Sequence, residues 1–472
     1  MEQELVINDL FSQSEIDVFG AAIHQNAISQ MGADNKYPNQ TKRILIVVDF
    51  FNQFQLISDA KNLFWYHNNY YQLISEKKVK KLVKMVFIAA GWDDYKTRVG
   101  GEIYSQLFVD MDVDSYQIDN YPSIIPFKNG NYNMSEGKLD SPSPEIYFTK
   151  QFSVDCNESD DCPKFKKFMG RILPYEKPRR QVLTYLSYCF TTRIDVQITQ
   201  IWTGEGDNGK TTLSQLIKRI MGGFISHIPL KRLMNENDRF SKSHLMGKWL
   251  NIGSEIKSSR KFKETGIDDF KELITNEWLY GEKKGDAPAE WKNYTKFLFE
   301  LNKLPLQSAY MDFAFYRRLQ IIPFTQIIEE EEKIKGLHDI LYDEEGPQIV
   351  AYILSHYKLI DEVLKQDAAL AEKLWRLNTH SVFLFVSTYY FIGRGMASFP
   401  KDVFNKYLGW CKLLRKKPVN MDTFENLLKS QGAEKYQERD YETQRFITRY
   451  SMELKEKDGT IDAFMLEGEI KT

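Results

Sequence analysis

The stretch Gly204 to Thr212, GEGDNGKTT, constrains the fold of this chain more than any other. It follows a buried-strand pattern, Val196 to Trp202 (VQITQIW), and opens into Leu213 to Ile220, where Leu213, Leu216, Ile217 and Ile220 fall on one helical face. Strand, glycine loop and helix in that order let consecutive backbone N–H groups curl around a phosphate chain. Gly204, Gly209, Lys210 and Thr211 satisfy G-x-x-x-x-G-K-[ST], with Glu205, Gly206, Asp207 and Asn208 inside the loop and Thr212 just after it. Lys210 is expected to reach the β/γ oxygens of a nucleoside triphosphate, and the Thr211 hydroxyl to ligate Mg²⁺. ATP with Mg²⁺ is therefore the expected cofactor of an α/β core.

Three later segments supply partners for such a site. Lys248 to Glu255 (KWLNIGSE) reads as a short strand ending in a carboxylate, and Glu255 at a strand tip can hold Mg²⁺ or polarise the attacking water. Thr295 to Leu301 (TKFLFEL) delivers Asn302, suited to orienting a lytic water or touching the γ-phosphate. Phe315 to Phe324 (FYRRLQIIPF) sets Arg317 and Arg318 ahead of another strand. Adjacent arginines there are either a salt-bridged strand edge or an arginine finger acting in a neighbouring subunit's site.

All of these motifs lie between Gly204 and Phe324, too short a span for two RecA-like domains. The loop G-x-G-x-N-G-K-[ST], the Leu245-Met246-Gly247-Lys248 lead into the Glu255 strand, Lys271 to Tyr280, Asn302-Lys303-Leu304-Pro305, and Arg318 before Ile321-Ile322-Pro323-Phe324 together resemble superfamily 3 DNA helicases of the phage, plasmid and poxvirus primase-helicase group. Ile125 to Gly130 (IPFKNG), Gly346 to Ile353 and Phe399 to Trp410 resemble the family's flanking elements, so the likeness covers about three quarters of the chain. One departure is Ser254, where some members carry a second carboxylate before the strand-end acid. The resemblance implies an AAA+-like P-loop ATPase core of the superfamily 3 type, with an α/β N-terminal region, a helical connector and a C-terminal winged-helix domain. It implies a homo-oligomeric ring, a hexamer, that hydrolyses ATP at subunit interfaces and translocates on single-stranded DNA. The corresponding divisions are 1–150, 151–195, 196–328, 329–395 and 396–472.

In that family a hairpin before the sensor strand projects into the pore. Here it falls within Trp278 to Trp291, where Gly281 and Gly285 flank Lys283 and Lys284, two cations able to grip successive phosphates without reading bases. A second contact, to duplex DNA, is expected at the C-terminal segment. There Lys401, Lys406, Lys412, Arg415, Lys416 and Lys417 are interleaved with Phe404, Tyr407 and Trp410, and Arg439, Arg445 and Arg449 follow. A formal net charge of −2 over 472 residues, which alone argues against a nucleic-acid binder, then reads as local basic contacts on a near-neutral body.

The rest of the chain narrows the alternatives. Arg43 to Phe51 (RILIVVDFF) reads as a strand, Leu63 to Leu73 as a hairpin turning at Asn68-Asn69, Glu76 to Ile88 as a lysine-rich amphipathic helix, and Cys162 to Phe190 as helical. Asp110 and Asp112 after Leu107-Phe108-Val109 resemble the strand-borne carboxylate pair by which primase-polymerases hold two metals, but no second motif follows. Four cysteines, Cys156, Cys162, Cys189 and Cys411, make no disulfide framework and no zinc site. With no signal peptide and no long apolar run, a soluble cytoplasmic protein is expected. An ATP-gated DNA-binding switch uses the same loop and finger as a helicase.

Overall fold

The computed structural model describes residues 11–31, 36–59, 61–114, 116–204, 206–235, 238, 240–254, 264–275, 278–282, 289–305, 311–379, 381–393, 397–413, 418–440 and 446–454. Its N-terminal part is a helical bundle with a small sheet: α1 (Gln13–Ser29), α2 (Gln40–Phe51), β1 (Leu56–Ser58), β2 (Leu63–His67), β3 (Tyr70–Ile74), α3 (Glu76–Ala89) and α4 (Thr97–Asp110). The expected hairpin is β2–β3, with Asn68 and Asn69 both at positive φ in its turn. The expected strand over Arg43–Phe51 is instead helix α2. Its apolar run, interrupted by Asp49, has no clear period of its own, and two neighbours decide: Asn39 caps the helix by accepting the Lys42 N–H at 3.0 Å, and Arg43 pairs with Asp94. Ile46, Val47, Val48 and Phe51 are then buried against α1, α3 and α4.

A second small sheet, β4 (Ile124–Phe127), β5 (Gly130–Asn133) and β6 (Lys138–Asp140), leads to helices α5 (Pro163–Ile172) and α6 (Glu176–Cys189). Pro163 opens α5, and the Glu345 carboxylate accepts the Lys164 and Phe165 N–H groups at 2.9 Å each, so the cap comes from far along the chain.

The centre is a five-stranded parallel sheet in the order β13–β7–β12–β9–β8. Its strands are β7 (Thr199–Thr203), β8 (Ile225–Ser226), β9 (Leu250–Ser254), β12 (Lys296–Leu301) and β13 (Leu319–Pro323). Between β9 and β12 lie α8 (Glu264–Thr275) and the antiparallel pair β10 (Trp278–Gly281) and β11 (Ala289–Lys292); α7 (Lys210–Met221) joins β7 to β8. Parallel strands joined by crossovers need cover on both faces. On one face Trp202, Ile252 and Leu298 pack with α5, α6, α7 and α9 (Leu337–Leu354); on the other, Ile201, Phe297 and Phe299 pack with α8 and α10 (Ala368–Thr379). Ile125, Phe127, Phe148 and Phe152 also join the first core, so the stretch after the bundle packs with the central sheet.

The C-terminal part has its own core and contains α11 (Ser381–Tyr389), β14 (Tyr390–Ile392), α12 (Pro400–Leu413), α13 (Met421–Ser430), β15 (Lys435–Arg439), β16 (Phe446–Tyr450) and β17 (Met452–Leu454). β15 pairs with β16 and β14 with β17, all antiparallel.

Candidate functional site

In an open α/β sheet, ligands bind outside the carboxyl ends of the strands where the chain reverses its direction of winding. Here that point is the end of β7, which lies between β13 and β12. Thr203 stands level with Leu301 on one side and Pro323 on the other, so three strand tips meet at the glycine loop. Hydrogen bonds to both neighbouring strands hold the start of the loop: Gly204 N–H to the Leu301 carbonyl at 3.3 Å, and Phe324 N–H to the Thr203 carbonyl at 2.7 Å.

The loop backbone takes conformations that side chains resist. Gly204 has φ +155° and Gly209 φ +80°, the latter forming the N-cap of α7. A Cβ on Gly204 would lie 2.4 Å from the Phe324 carbonyl oxygen, and one on Gly209 would lie 2.4 Å from Ile172 Cγ2 at the end of α5. The connector helix therefore rests directly on the loop. Asp207 bonds to the segment after β13 by its carbonyl, which accepts the Ile328 N–H at 2.7 Å, and by its carboxylate, 3.0 Å from Lys333 Nζ.

Lys210 is buried, and its ammonium donates to the Gly204 carbonyl at 2.7 Å and to Asn208 Oδ1 at 2.9 Å. Asn208, itself buried, donates in turn to the Phe324 carbonyl at 3.3 Å. Burial lowers the Lys210 pKa to about 8, opposed in part by the charge of Glu300. An ammonium held by two neutral acceptors in a curled backbone fits a phosphate, which would replace those acceptors with charged oxygens. Thr211, the second residue of α7, is exposed at the same helix end, where Mg²⁺ beside that phosphate would find its hydroxyl.

The other expected residues divide into three groups. Asn302 directly follows β12 and is exposed beside the loop. Glu255 and Glu205 lie outside the described residues, but Ser254, the last residue of β9, stands level with Glu300 at the same sheet edge. Arg317 and Arg318 precede β13 and so sit at the opposite end of the strands, where the Arg318 carbonyl accepts the Thr199 N–H at 2.7 Å. β13 places Arg318 on the order of 15 Å from the loop of its own chain. Its side chain is buried and bonded to the Ala314 carbonyl.

Glu300 escaped attention in the sequence. Along β12, Leu298 packs with α7 while Phe297, Phe299 and Leu301 face the other core, so Glu300 projects on the Lys210 side. Its Oε1 is buried without a hydrogen-bond partner. The signal was available: a lone acid inside the apolar run TKFLFEL.

The expected pore hairpin is β10–β11, and its tip, with Lys283 and Lys284, lies outside the described residues. Trp278 and Tyr280, two residues apart on β10, are exposed large aromatics, while Leu279 between them is buried. In the C-terminal part Lys401, Lys406 and Lys412 are exposed on α12, and Arg415, Lys416, Lys417 and Arg445 lie outside the described residues. The interleaved aromatics are core: Tyr407 and Trp410 are buried with Phe424 and Leu428, and Phe404 packs against them. Arg449 lies over the Phe399 ring and pairs with Glu438. The carboxylate pair is not strand-borne either. Asp110 ends helix α4, whereas Asp112 lies beyond it in an isolated β-bridge with Ser58, so the two do not alternate along one strand, and both are exposed. Among the described residues no group of three His, Cys, Asp or Glu could hold a metal ion, and no helix is long and apolar enough to cross a membrane. Burial pushes the Cys162 and Cys189 thiols up to about 12, which keeps them protonated and inert.

Residues 47–174 match the family described as D5 N terminal like, and residues 202–318 match a family of unknown function (DUF5906). A protein named "Putative helicase" from Acanthamoeba polyphaga mimivirus is 25% identical over 241 residues, 47% of this chain and 24% of that protein. The chain resembles D5-type viral helicases. A second protein of that name, from Invertebrate iridescent virus 6, is 24% identical over 229 residues, 45% of this chain and 23% of that protein. The matched regions thus span about a quarter of the length of these relatives. Among solved structures, the apo C-terminal region of NrS-1 aligns at a TM-score of 0.47 and 15% identity, over 86% of this chain and 97% of that one.

Proposed function

We propose that the chain is an ATP-dependent DNA helicase of a replicating virus or mobile element, a ring-forming motor that moves on single-stranded DNA. The observation that carries this reading is the meeting of three strand tips at the glycine loop, with Lys210 buried inside it and Asn302 beside it. In this reading the Gly204–Thr212 backbone and Lys210 hold the triphosphate and Thr211 and Glu255 hold Mg²⁺, which supplies charge neutralisation at the leaving phosphate. Glu255 and Asn302 orient the attacking water. Of the two arginines at the far end of β13, the half-buried Arg317 is the one placed to act on the site of the next subunit, since Arg318 is buried and bonded to the Ala314 carbonyl. Lys283 and Lys284 grip the strand in the pore, and the C-terminal part, with Lys412, Arg415, Lys416 and Lys417, contacts duplex DNA. The names of the viral relatives support the helicase reading.

A forked duplex incubated with the protein, ATP and Mg²⁺ tests it. Strand separation that is lost in Lys210→Ala is expected, together with a ring in negative-stain images. ATP hydrolysis without strand separation would assign an ATP-gated binding switch instead, and absence of hydrolysis would overturn the nucleotide site. A Lys283→Ala/Lys284→Ala protein is expected to lose DNA stimulation of hydrolysis, and full stimulation would remove the pore role.

A further inference from the structure

Helix α3 of the N-terminal bundle carries a set of lysines that the nucleotide site does not use. Val79, Leu82, Val83, Val86 and Phe87 turn inward to the bundle core, so the apolar stripe of α3 is already covered. On the outside, Lys77, Lys80, Lys81 and Lys84 line an open cleft of about 830 Å³, closed on the far side by Lys96 at the start of α4. Lys77, Lys81, Lys84 and Lys96 are exposed. Among the described residues the only acid lining the cleft is Glu76, and Lys80 engages it at 2.5 Å.

We infer that this cleft binds the phosphate backbone of duplex nucleic acid, without reading bases, as a site separate from the nucleotide loop and from the pore. Charge complementarity names the occupant: five lysines face one glutamate that is already paired. Spacing agrees with a repeating anion. Lys77, Lys81 and Lys84 recur at i, i+4 and i+7 on one helix face and span about 10 Å, the length over which one strand presents roughly three phosphates. The cleft lacks the means to read sequence. Its one aromatic, Tyr95, donates its hydroxyl to the Lys80 carbonyl at 3.0 Å and sets its ring edge-on to Phe87 with centroids 5.7 Å apart, leaving no stacking platform.

The test is fluorescence anisotropy of a labelled 20-bp duplex against the full chain without nucleotide, over a salt series. Lys77→Gln/Lys81→Gln/Lys84→Gln is expected to weaken affinity at least about tenfold and to flatten the log–log salt slope by about 2.7, for three phosphates at 0.9 each. Lys77→Arg/Lys81→Arg/Lys84→Arg is expected to retain affinity, which separates charge loss from misfolding. Unchanged affinity and slope in the glutamine protein would overturn the inference. So would polyglutamate of matched charge displacing the duplex at equal or lower concentration, which assigns the cleft to an acidic protein segment. Because no nucleotide is present, failure of the ATPase reading leaves this result standing, and the reverse holds too.

Discussion

The glycine loop and helix α3 both gather positive charge, and they do so in opposite ways. Lys210 is one buried cation, held by two named acceptors in a backbone that a single Cβ would spoil. The lysines of α3 are several exposed cations with an apolar face behind them. A buried, prepositioned cation suits a compact anion that arrives with defined geometry, because burial strengthens every contact it makes. Exposed cations on flexible stems suit a long anion of uniform spacing, and salt controls that attraction.

That contrast can be broken most directly at Lys210. Lys210→Ala is expected to lower kcat/KM for ATP hydrolysis by at least about 100-fold, roughly 3 kcal/mol, the scale of losing one preorganised charge donor at a reacting phosphate. Lys77→Ala, removing one of several exposed charges, is expected to change duplex affinity only about threefold. Comparable losses in the two variants would erase the distinction.

Next in size is the rigidity of the cradle. Gly209→Ala meets Ile172 at 2.4 Å and keeps φ at +80°, and a destabilisation of about 1–3 kcal/mol is expected from its thermal midpoint. Adding Ile172→Ala should recover the steric part only. Gly432→Ala, also at positive φ but in open space, measures the backbone part alone and is expected to cost about 1 kcal/mol.

Proton linkage comes third. Lys210 titrates near 8 without nucleotide because burial disfavours its charge, while a bound phosphate favours it. Above pH 8 nucleotide binding must therefore take up a proton. Affinity is expected to fall by up to about tenfold between pH 8 and 9, with proton uptake visible in calorimetry repeated in buffers of different ionisation enthalpy. The smallest effect is expected from Glu300→Gln. Removing this carboxylate takes away the charge that opposes desolvation of Lys210, so the pH break should move down by a few tenths of a unit. A break that moves up would mean that Glu300 does not act on Lys210.

Much of the site was legible because its residues are local in sequence. The loop, its preceding strand and its following helix are one continuous unit, and α7 and β7 form where strand and helix periods change over. Asn302 was equally readable, as the residue that ends a strand of apolar side chains. In the sequence the alternation of charge and ring over the C-terminal segment reads as a DNA-contacting surface; yet Tyr407 and Trp410 are buried, while Lys401, Lys406 and Lys412 of α12 are exposed. Alternation in sequence is the same for an amphipathic core helix and for a binding face.

By itself the sequence determined the glycine loop, the strand that delivers Asn302, and the amphipathic character of α3, since each depends on chemistry within a few residues. Only the tertiary structure decided that Arg43–Phe51 is a helix, that Arg318 sits at the far end of the sheet from its own loop, and that Glu300 turns inward beside Lys210. Strand order, the far caps and the face a side chain takes depend on residues tens to hundreds of positions away, and no local period encodes those contacts.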